Sequence, residues 1–582
     1  MKEILIINLT RMGDLLQTTP VMAGFKETYP GVKITLLANS QFAEICRGIP
    51  FIDELIVFEM KDFKLKFHNS ERSIVESFRR IEGLINELNK KEYDLAINFT
   101  HSPGSAILTS MVRAGEIRGN TVDAEGHKLL KHPWMRYFFN VVPNREYNPF
   151  HLVDMNLKSA GVMSKTRRLF YEIPEGDRKN ANEMLQGEGV ASNDMLIGLH
   201  LGASKGDKRW SAASFAALAD MIVREFDAKI ILFGSPDEAG LAREFEKTVK
   251  FKPLNFAGRT NLGELSSLLK SCSLLISNDS GPLHVATAAG TRVIDVSVAN
   301  VHYLETGPYG EGHYVIQADL PCSPCDFHVE CNNMVCKDII KPEAVFEVVK
   351  EALKDNPSVS PPLVKEGIKE GDPRFKDVQV YKTGFKEDGL IRFDPLVKRP
   401  LKKENIYRLL YREVWNMTPE KTNGKADMTY RDLCAELSSF YLLSDIEDVI
   451  LSLGKEVAAL EELVSASGEG FELISLITDE ASREKIDVGK VKEIWKRVEA
   501  VDAGIELIGY ANPCFRPLVL IFTYSKEASE GSELRSLAED SCRIYRDLNS
   551  TSSYLLKMMK KLIAFFEAVS EKRSFVDTLT AP

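Results

Sequence analysis

Polar side chains collect at three points in the sequence where a short apolar run ends. The runs are Leu196–Leu199, Lys229–Phe233 and Leu274–Ser277, and each leads into a Gly- and Ser-rich turn that is followed by a helical pattern. This pattern is typical of βα units in a parallel sheet, whose ligands bind at the carboxyl ends of the strands. Backbone N–H groups and helix N-termini at that edge suit a phosphate, so the sequence predicts a nucleotide-sugar pocket there. Its polar residues are Lys208, Ser235, Asp237, Glu238, Asp279, Ser280, Gly281 and His284.

The most informative turn is the string Asn-Asp-Ser-Gly-Pro-Leu-His at positions 278–284, which leads into a helix rich in small residues. The amides of Ser280 and Gly281 would point outward at the start of that helix and form an anion site. Asp279 is suited to orienting sugar hydroxyls. His284, one turn into the helix, has two interpretations: it supports the phosphate, or it fills the interface between helix and sheet.

Lys208 follows a flexible turn with the sequence GASKGDKRW. The turn lacks the GK[ST] ending of a Walker A loop, but a lysine at this point can reach a diphosphate as a point charge. The alternative is an ordinary surface lysine in a loop. We expect Trp210, two residues later, to pack beneath the loop rather than to stack on a base.

A second set of candidate residues follows the first apolar run, at Thr10-Arg11-Met12-Gly13-Asp14. Gly13 permits a tight turn, and Asp14 stands at the start of a helix, where we expect it to face a cleft. A carboxylate there can accept the proton of an attacking hydroxyl. A helix N-terminus favours the ionised form of Asp14, and Asp is also among the commonest N-terminal caps, so both interpretations stay open.

Four of the nine cysteines lie close together, as C-x2-C-x5-C-x4-C at Cys322, Cys325, Cys331 and Cys336. In a reducing compartment such a cluster favours a metal ion over disulfides. Four thiolates suit a closed, structural tetrahedral site for Zn²⁺ or a mononuclear iron, and His328 is able to replace one of them. The alternative is a set of reduced cysteines without a ligand.

Taken together, RMGD near the N-terminus, H-x-G-x-S-K-x-x-K-x-W, FGSPDE and SNDSGPLHVATAAGT resemble glycosyltransferase family 9, the ADP-heptose:lipopolysaccharide heptosyltransferases. The resemblance covers about residues 1–350. It implies a GT-B architecture, in which two Rossmann-like domains face each other over a cleft. It also implies an inverting transfer that needs no catalytic metal, in agreement with the lack of an Asp-x-Asp pair in these motifs. The cysteine cluster resembles those of iron-bearing heptosyltransferases that modify autotransporter proteins.

The resemblance assigns a role to each residue that matches a family motif. Asp14 would be the catalytic base, Lys208 would contact the donor phosphates, and Asp279 would bind the heptose hydroxyls. Glu238, or its neighbour Asp237, would lie near the nucleoside ribose. The donor-binding set is Lys208, Glu238, Asp279, Ser280, Gly281 and His284, and the acceptor-side set is Thr10, Arg11 and Gly13.

These motifs lie in a chain of 582 residues. Its composition, 44% hydrophobic and 27% charged, is ordinary for a globular protein. The net charge of -10 argues against bulk nucleic-acid binding. No apolar run approaches the ~18 residues of a membrane span. The N-terminus resembles a first strand rather than a signal peptide, which predicts a cytoplasmic protein and leaves peripheral contact with the inner membrane open.

The elements that must position the motifs divide the chain into four predicted parts. Residues 1–170 and 171–354 are predicted as α/β domains, 355–403 as a Pro- and Gly-rich linker, and 404–582 as a mainly α-helical accessory domain. Segment 517–524 is compatible with a strand or a helix. One apolar helical face predicts a packing seam, either within a helical bundle or between subunits. Its residues are Leu555, Met559, Leu562 and Phe566.

The leading hypothesis is therefore a glycosyltransferase that moves a sugar from a nucleoside diphosphate to a glycolipid or protein hydroxyl. The main alternative is a non-catalytic GT-B scaffold whose helical domain mediates interactions or oligomerisation. An NAD enzyme or epimerase of similar fold ranks low, because the first turn lacks G-x-G-x-x-G.

Overall fold

The computed structural model describes residues 1–59, 71–326, 329–354, 368–369, 371–416, 426–444, 446–529 and 533–580. The chain forms two compact units. The first comprises Met1–Lys128 and Phe150–Val397, and the second comprises Leu129–Pro149 and Lys398–Pro582. Residues 129–149, which were predicted to lie in the first α/β domain, thus belong with the C-terminal part of the chain.

The first half of the first unit is a parallel sheet with helical crossovers. The order of its strands within this unit is β3-β2-β1-β4-β5, and the strands are rich in Ile, Leu and Val because both sheet faces are covered. Strand order reverses between β1 and β4, and ligands bind at such a switch point. The strands are β1 (Glu3–Asn8), β2 (Lys33–Asn39), β3 (Glu54–Phe58), β4 (Tyr93–Asn98) and β5 (Ala114–Val122). The helices are α1 (Met12–Gln17), α2 (Thr19–Thr28), α3 (Ala43–Cys46), α4 (Glu71–Leu88) and α5 (Pro103–Ser110).

Two elements follow where the chain passes into the second unit, β6 (Lys128–Lys131) and α6 (Pro133–Val141), and α7 (Leu152–Ala160) follows its return. The second half of the first unit then has its own sheet. Its strands are β7 (Leu196–His200), β8 (Lys229–Phe233), β9 (Leu254–Asn255), β10 (Leu274–Asn278), β11 (Val293–Ser297), β12 (Tyr314–Ala318), β13 (Val378–Phe385) and β14 (Ile391–Pro395). Its helices are α8 (Glu175–Gly187), α9 (Ala212–Phe226), α10 (Ala239–Thr248), α11 (Leu262–Ser271), α12 (Gly281–Ala289), α13 (Tyr303–Thr306), α14 (Val335–Ile339) and α15 (Pro342–Leu353).

This second sheet has the order β14-β13-β12-β11-β10-β7-β8-β9, so β7 lies between β8 and β10. Strands β7 to β12 are parallel to one another, and β13 and β14 add an antiparallel edge next to β12. The predicted linker at 355–403 is therefore wrong for residues 378–395, which complete the sheet; residues 355–367 lie outside the described part. Val378 and Val380 are buried in the core, and their burial outweighs the loop-like composition of the surrounding Pro, Gly and charged residues.

Helix α9 follows the turn after β7. Its apolar face, which includes Phe215, Leu218 and Ile222, is fully buried against the sheet. Ser211 caps the helix, because its hydroxyl accepts the Ser214 N–H at 3.0 Å.

The second unit is mainly helical. Its helices beyond α6 are α16 (Lys403–Asn416), α17 (Ala426–Phe440), α18 (Glu447–Ala481), α19 (Val488–Ala511), α20 (Arg516–Glu527) and α21 (Leu534–Thr580), and β15 (Arg399–Pro400) pairs with β16 (Tyr441–Leu442). Segment 517–524 is helical, within α20. The predicted seam on α21 is fully buried inside this unit. No single helix in the part that the structure describes is long and apolar enough to cross a membrane; the pair Val488–Ala511 and Pro513–Glu527, bent by 117°, passes that test together.

Candidate functional site

Lys208 and Asp279 meet at the carboxyl edge of the second sheet. Lys208 lies in the turn after β7 and Asp279 directly follows the neighbouring β10, so the strand order brings the two turns together. The Lys208 ammonium lies 3.4 Å from Asp279 Oδ2, and the two side chains are only 17% and 13% exposed. The pair thus presents a largely desolvated cation and a carboxylate at the edge where α/β sheets bind ligands.

The loop that carries Lys208 is fastened by side-chain amides and by Trp210. Asn278 at the end of β10 accepts the Trp210 N–H at 2.9 Å and donates to the Leu201 carbonyl at 2.8 Å. The Trp210 ring is 1% exposed and its Nε1 donates to the Ile340 carbonyl at 2.9 Å. The ring therefore packs beneath the loop, as predicted, and holds the lysine turn in one place.

The Glu238 side chain lies at the same carboxyl edge of the second sheet, whereas its neighbour Asp237 is exposed. Its Oε2 accepts the Ser235 N–H at 2.9 Å and lies 3.4 Å from His200 Nε2. Burial by itself would raise the pKa of Glu238, but His200 and the Ser235 amide outweigh burial and lower the pKa to about 2. The carboxylate lies directly over Gly202, where a Cβ would overlap it. Glu238 is thus an ionised acceptor at neutral pH.

Ser280 and Gly281 stand at the start of α12, as predicted from their position in the sequence. Ser280 is the N-cap residue, and its hydroxyl bonds to His200 Nδ1 at 3.1 Å rather than to the helix backbone. Gly281 lies against α1 of the first half, because a Cβ there would overlap Met12 Cε. The N-terminal end of α12 is therefore close to the turn that carries Asp14.

Asp14 is half-buried at the third residue of α1 and accepts the Arg11 N–H at 3.3 Å through Oδ2. It therefore does take part in capping its own helix. Burial raises its pKa; the Arg11 amide and the charge of Arg11 act in the opposite direction, and Asp279 adds to the rise. A carboxylate with a raised pKa, next to groups of the opposite half, has the basicity and the position that a general base needs.

The acceptor-side set lies around Asp14. Thr10 donates its N–H to Asn8 Oδ1 at 3.2 Å and is partly exposed, while Arg11 is exposed. Gly13 faces His284, since a Cβ at Gly13 would lie 2.7 Å from the imidazole Cδ2. The small residue at this position therefore permits the close approach of α1 and α12.

His284 fills the contact between α12 and α1, rather than the predicted interface of helix and sheet. The side chain is 5% exposed, and the Gln17 side-chain nitrogen lies 3.4 Å from its Nδ1. Burial lowers its pKa, against the charges of Asp279 and Asp14. His284 is thus a neutral side chain that joins the halves next to Asp14.

Sequence reasoning missed three buried polar residues of this region: His200, Gln17 and Asp295. Asp295, in β11, is fully buried and accepts the Ser297 hydroxyl at 2.7 Å. Burial and the nearby charge of Asp279 raise its pKa well above the ordinary value. The available signal was a polar residue inside or at the end of an otherwise apolar run.

The four clustered cysteines are neighbours but do not form a ligand group. Cys322 and Cys331 are exposed, while Cys336 is buried in the core at α14. Burial raises the pKa of Cys325, and the other three thiols raise it further. Among the residues with described positions, no three His, Cys, Asp or Glu side chains are arranged to hold a metal ion, and His328 lies outside them. The metal site stays a prediction that this arrangement does not support.

Two Rossmann-like halves, one with a lysine–carboxylate pair at its ligand edge and the other with a carboxylate opposite, define a glycosyltransferase of the GT-B fold. Residues 81–335 match the family model "Glycosyltransferase family 9 (heptosyltransferase)". Over these residues the chain is similar to glycosyltransferase family 9, and it carries an additional C-terminal helical region.

Named relatives show the same similarity. Lipopolysaccharide heptosyltransferase 3 of Escherichia coli is 29% identical over 297 residues, which are 50% of this chain and 82% of the relative. Lipopolysaccharide core heptosyltransferase OpsX of Haemophilus influenzae is 26% identical over 321 residues, or 53% and 82% of the two chains. The crystal structure of a glycosyltransferase family 9 protein from Veillonella parvula DSM 2008 superposes with a TM-score of 0.50 at 26% identity, covering 61% of this chain and 98% of that one.

Proposed function

We propose that this chain transfers a heptose from an ADP-heptose-type donor to a hydroxyl group of a lipopolysaccharide-type acceptor, with inversion at the anomeric carbon. The named relatives act as lipopolysaccharide heptosyltransferases. The observation that carries the proposal is the convergence of Lys208, Asp279 and Ser280 on one sheet edge, with Asp14 beside them on the other half.

The donor would lie along the carboxyl edge of the second sheet. Its diphosphate would face Lys208 and the start of α12, with Ser280 and Gly281 in contact. Glu238 would accept hydroxyls of the ribose, and Asp279 hydroxyls of the heptose. Negative charge grows on the departing diphosphate in the transition state, and preorganised positive groups at that point are usually the largest catalytic contribution.

The acceptor would approach from the side of Thr10, Arg11 and Gly13. As its hydroxyl oxygen attacks the anomeric carbon, the bond to the diphosphate breaks and Asp14 takes the hydroxyl proton. Attack from the face opposite the leaving group inverts the anomeric configuration. Because Lys208 and the α12 start supply the positive charge opposite the diphosphate, we propose that the transfer needs no catalytic divalent cation.

A binding screen followed by a transfer assay tests this function. The full chain is melted with ADP-, UDP- and GDP-sugars, because a tight ligand stabilises the folded state by mass action. We expect protection by an ADP-sugar in both the wild type and Asp14→Asn, with transfer only in the wild type. Asp432→Asn, at an exposed aspartate of α17, is the matched control and should retain both.

Two alternatives correspond to other results of the same experiment. A non-catalytic scaffold would show no protection by any nucleotide sugar. A protein hydroxyl as acceptor, rather than a glycolipid, would appear as transfer to a polypeptide and not to lipopolysaccharide core fragments. Equal transfer by the wild type and Asp14→Asn would remove Asp14 from its role as base.

A further inference from the structure

A buried histidine connects two residues of the donor edge, which is the carboxyl edge of the second sheet along which the donor would lie. His200 ends β7 and is 2% exposed. Its Nε2 lies 3.4 Å from Glu238 Oε2, in the turn after β8, and its Nδ1 lies 3.1 Å from the hydroxyl of Ser280. Both contacts exist because β7 lies between β8 and β10 in the sheet. The imidazole thus joins the proposed ribose end of the donor edge to its diphosphate end.

The protons on this chain of contacts follow from donor and acceptor chemistry. An ionised carboxylate only accepts, so the ring nitrogen facing Glu238, Nε2, carries the hydrogen. In a neutral imidazole Nδ1 is then an acceptor. The Ser277 hydroxyl, 3.3 Å from Nδ1, is directed to the Asn278 carbonyl at 2.6 Å. The hydroxyl that donates to Nδ1 is therefore that of Ser280.

This arrangement is unsuited to a bound diphosphate. While Ser280 donates to His200, only lone pairs of its oxygen face outward, and these repel phosphate oxygens. If Nδ1 also carries a hydrogen, it donates to the Ser280 oxygen. The Ser280 hydroxyl hydrogen then has two acceptors, the Ser277 oxygen at 3.2 Å and a bound phosphate, and the anionic phosphate is the stronger one. One added proton thus converts Ser280 from an acceptor into a donor toward the ligand.

We propose that His200 takes up a proton when a nucleoside diphosphate binds, and that this proton turns the Ser280 hydroxyl toward the diphosphate. The proposal rests on the proposed function, since it requires the diphosphate at the α12 start. His200 is in this account a positioning residue: it acts through Ser280 and does not touch the substrate.

A bound diphosphate would add a second anionic group beside the His200 ring. The groups facing the ring from the neighbouring strands and their turns are Glu238 on one side and the hydroxyls of Ser277 and Ser280 on the other. At the same sheet edge Lys208 opposes an added positive charge, but Asp279 pairs with it at 3.4 Å. A diphosphate would place the imidazolium between two anionic groups, and opposite charges favour the ionised form of a buried histidine.

Calorimetric titration tests proton uptake directly. ADP-ribose is the probe, because its diphosphate has no ionisable hydrogen near neutral pH. Binding is measured at pH 7.5 in buffers of low and high ionisation enthalpy, with the wild type, His200→Gln and the control His127→Gln, an exposed histidine of the first half. Gln keeps an amide that donates to Glu238 but does not titrate. We expect uptake approaching one proton in the wild type and the control, and none in His200→Gln.

The same proton predicts a pH dependence that needs no variant. By linkage, the affinity of the wild type should fall by as much as about tenfold per unit between pH 7 and 8. Zero uptake in the wild type, or equal uptake in the wild type and His200→Gln, would overturn the role of His200 while leaving donor binding intact. If neither ADP-ribose nor ADP, UDP or GDP binds the wild type, the proposed function fails as well.

Discussion

Gly202→Ala perturbs the donor edge at a single point. A Cβ on Gly202 would overlap Glu238 Oε1 and Cδ, and even the more distant Oε2 would lie at 2.7 Å, closer than the 3.0 Å that real Cβ atoms keep. The carboxylate must therefore leave its place. It then loses the Ser235 N–H at 2.9 Å and the His200 contact at 3.4 Å.

The expected loss in unfolding free energy follows from these two contacts. A hydrogen bond to a charged group contributes about 1.5–3 kcal/mol, and the longer His200 contact lies at the weak end. Because the side chain of Glu238 moves rather than the backbone, we expect a loss of about 2 kcal/mol in unfolding free energy. If Glu238 holds the ribose, the affinity for ADP should fall by tenfold or more, since about 1.4 kcal/mol corresponds to tenfold. Thermal melting and calorimetric titration with ADP measure the two effects.

Gly206→Ala, in the same loop, is the matched control, because no heavy atom lies within 4 Å of its added Cβ. A double variant adds the second control: Gly202→Ala should cost nothing further in a Glu238→Ala background, since the clashing group is gone. If Gly202→Ala melts and binds ADP like Gly206→Ala, Glu238 does not occupy the described position and the reasoning is refuted.

Asp14→Asn should lower kcat/KM by about 10²–10⁴-fold, the usual contribution of a general base, while donor binding is retained. Since burial raises the pKa of Asp14 and only the ionised carboxylate accepts a proton, wild-type activity should be lost as pH falls through a midpoint above the ordinary value of about 3.9; a midpoint below it would contradict this. Asp279→Asn frees Lys208, so ADP alone should bind at least as tightly as to the wild type and the sugar-bearing donor more weakly; equal losses for both ligands would exclude a sugar-side role. In α18, Gly470→Ala places a Cβ against a tyrosine ring of α21 and should destabilise the helical unit by about 1–3 kcal/mol, whereas Gly454→Ala meets nothing within 4 Å and should stabilise it by about 0.5–1 kcal/mol in thermal unfolding.

Local patterns in the sequence are sufficient for most strands and helices of the α/β halves. Strand β8 has the predicted bounds, and β7 and β10 each extend one residue beyond the predicted run. The reason is that an apolar run bounded by turn residues is a local signal. The polar residues at strand ends were found in the same way, because their place follows from where each run stops.

The linker prediction shows where local signals fail. The Pro- and Gly-rich segment 355–403 has loop composition, yet β13 pairs with β12 and β14 pairs with β13. An edge strand needs only a few buried side chains and a partner, and the partner lies some sixty residues earlier in the chain. Likewise, composition did not reveal that residues 129–149 pack with the helical unit, because their partners come from α16 and α20.

The amino-acid sequence by itself determined the chemistry that this chain has available: which side chains follow which strands, and which turns have amides free for a phosphate. Tertiary structure decided which of these groups touch. His200, Glu238 and Ser280 follow or end three different strands, and they meet only because β7 is inserted between β8 and β10. The raised pKa of Asp14 and the lowered pKa of Glu238 likewise depend on the tertiary structure. Burial and residues distant in sequence, Asp279 for Asp14 and His200 for Glu238, act on these pKa values together with the chain neighbours Arg11 and Ser235.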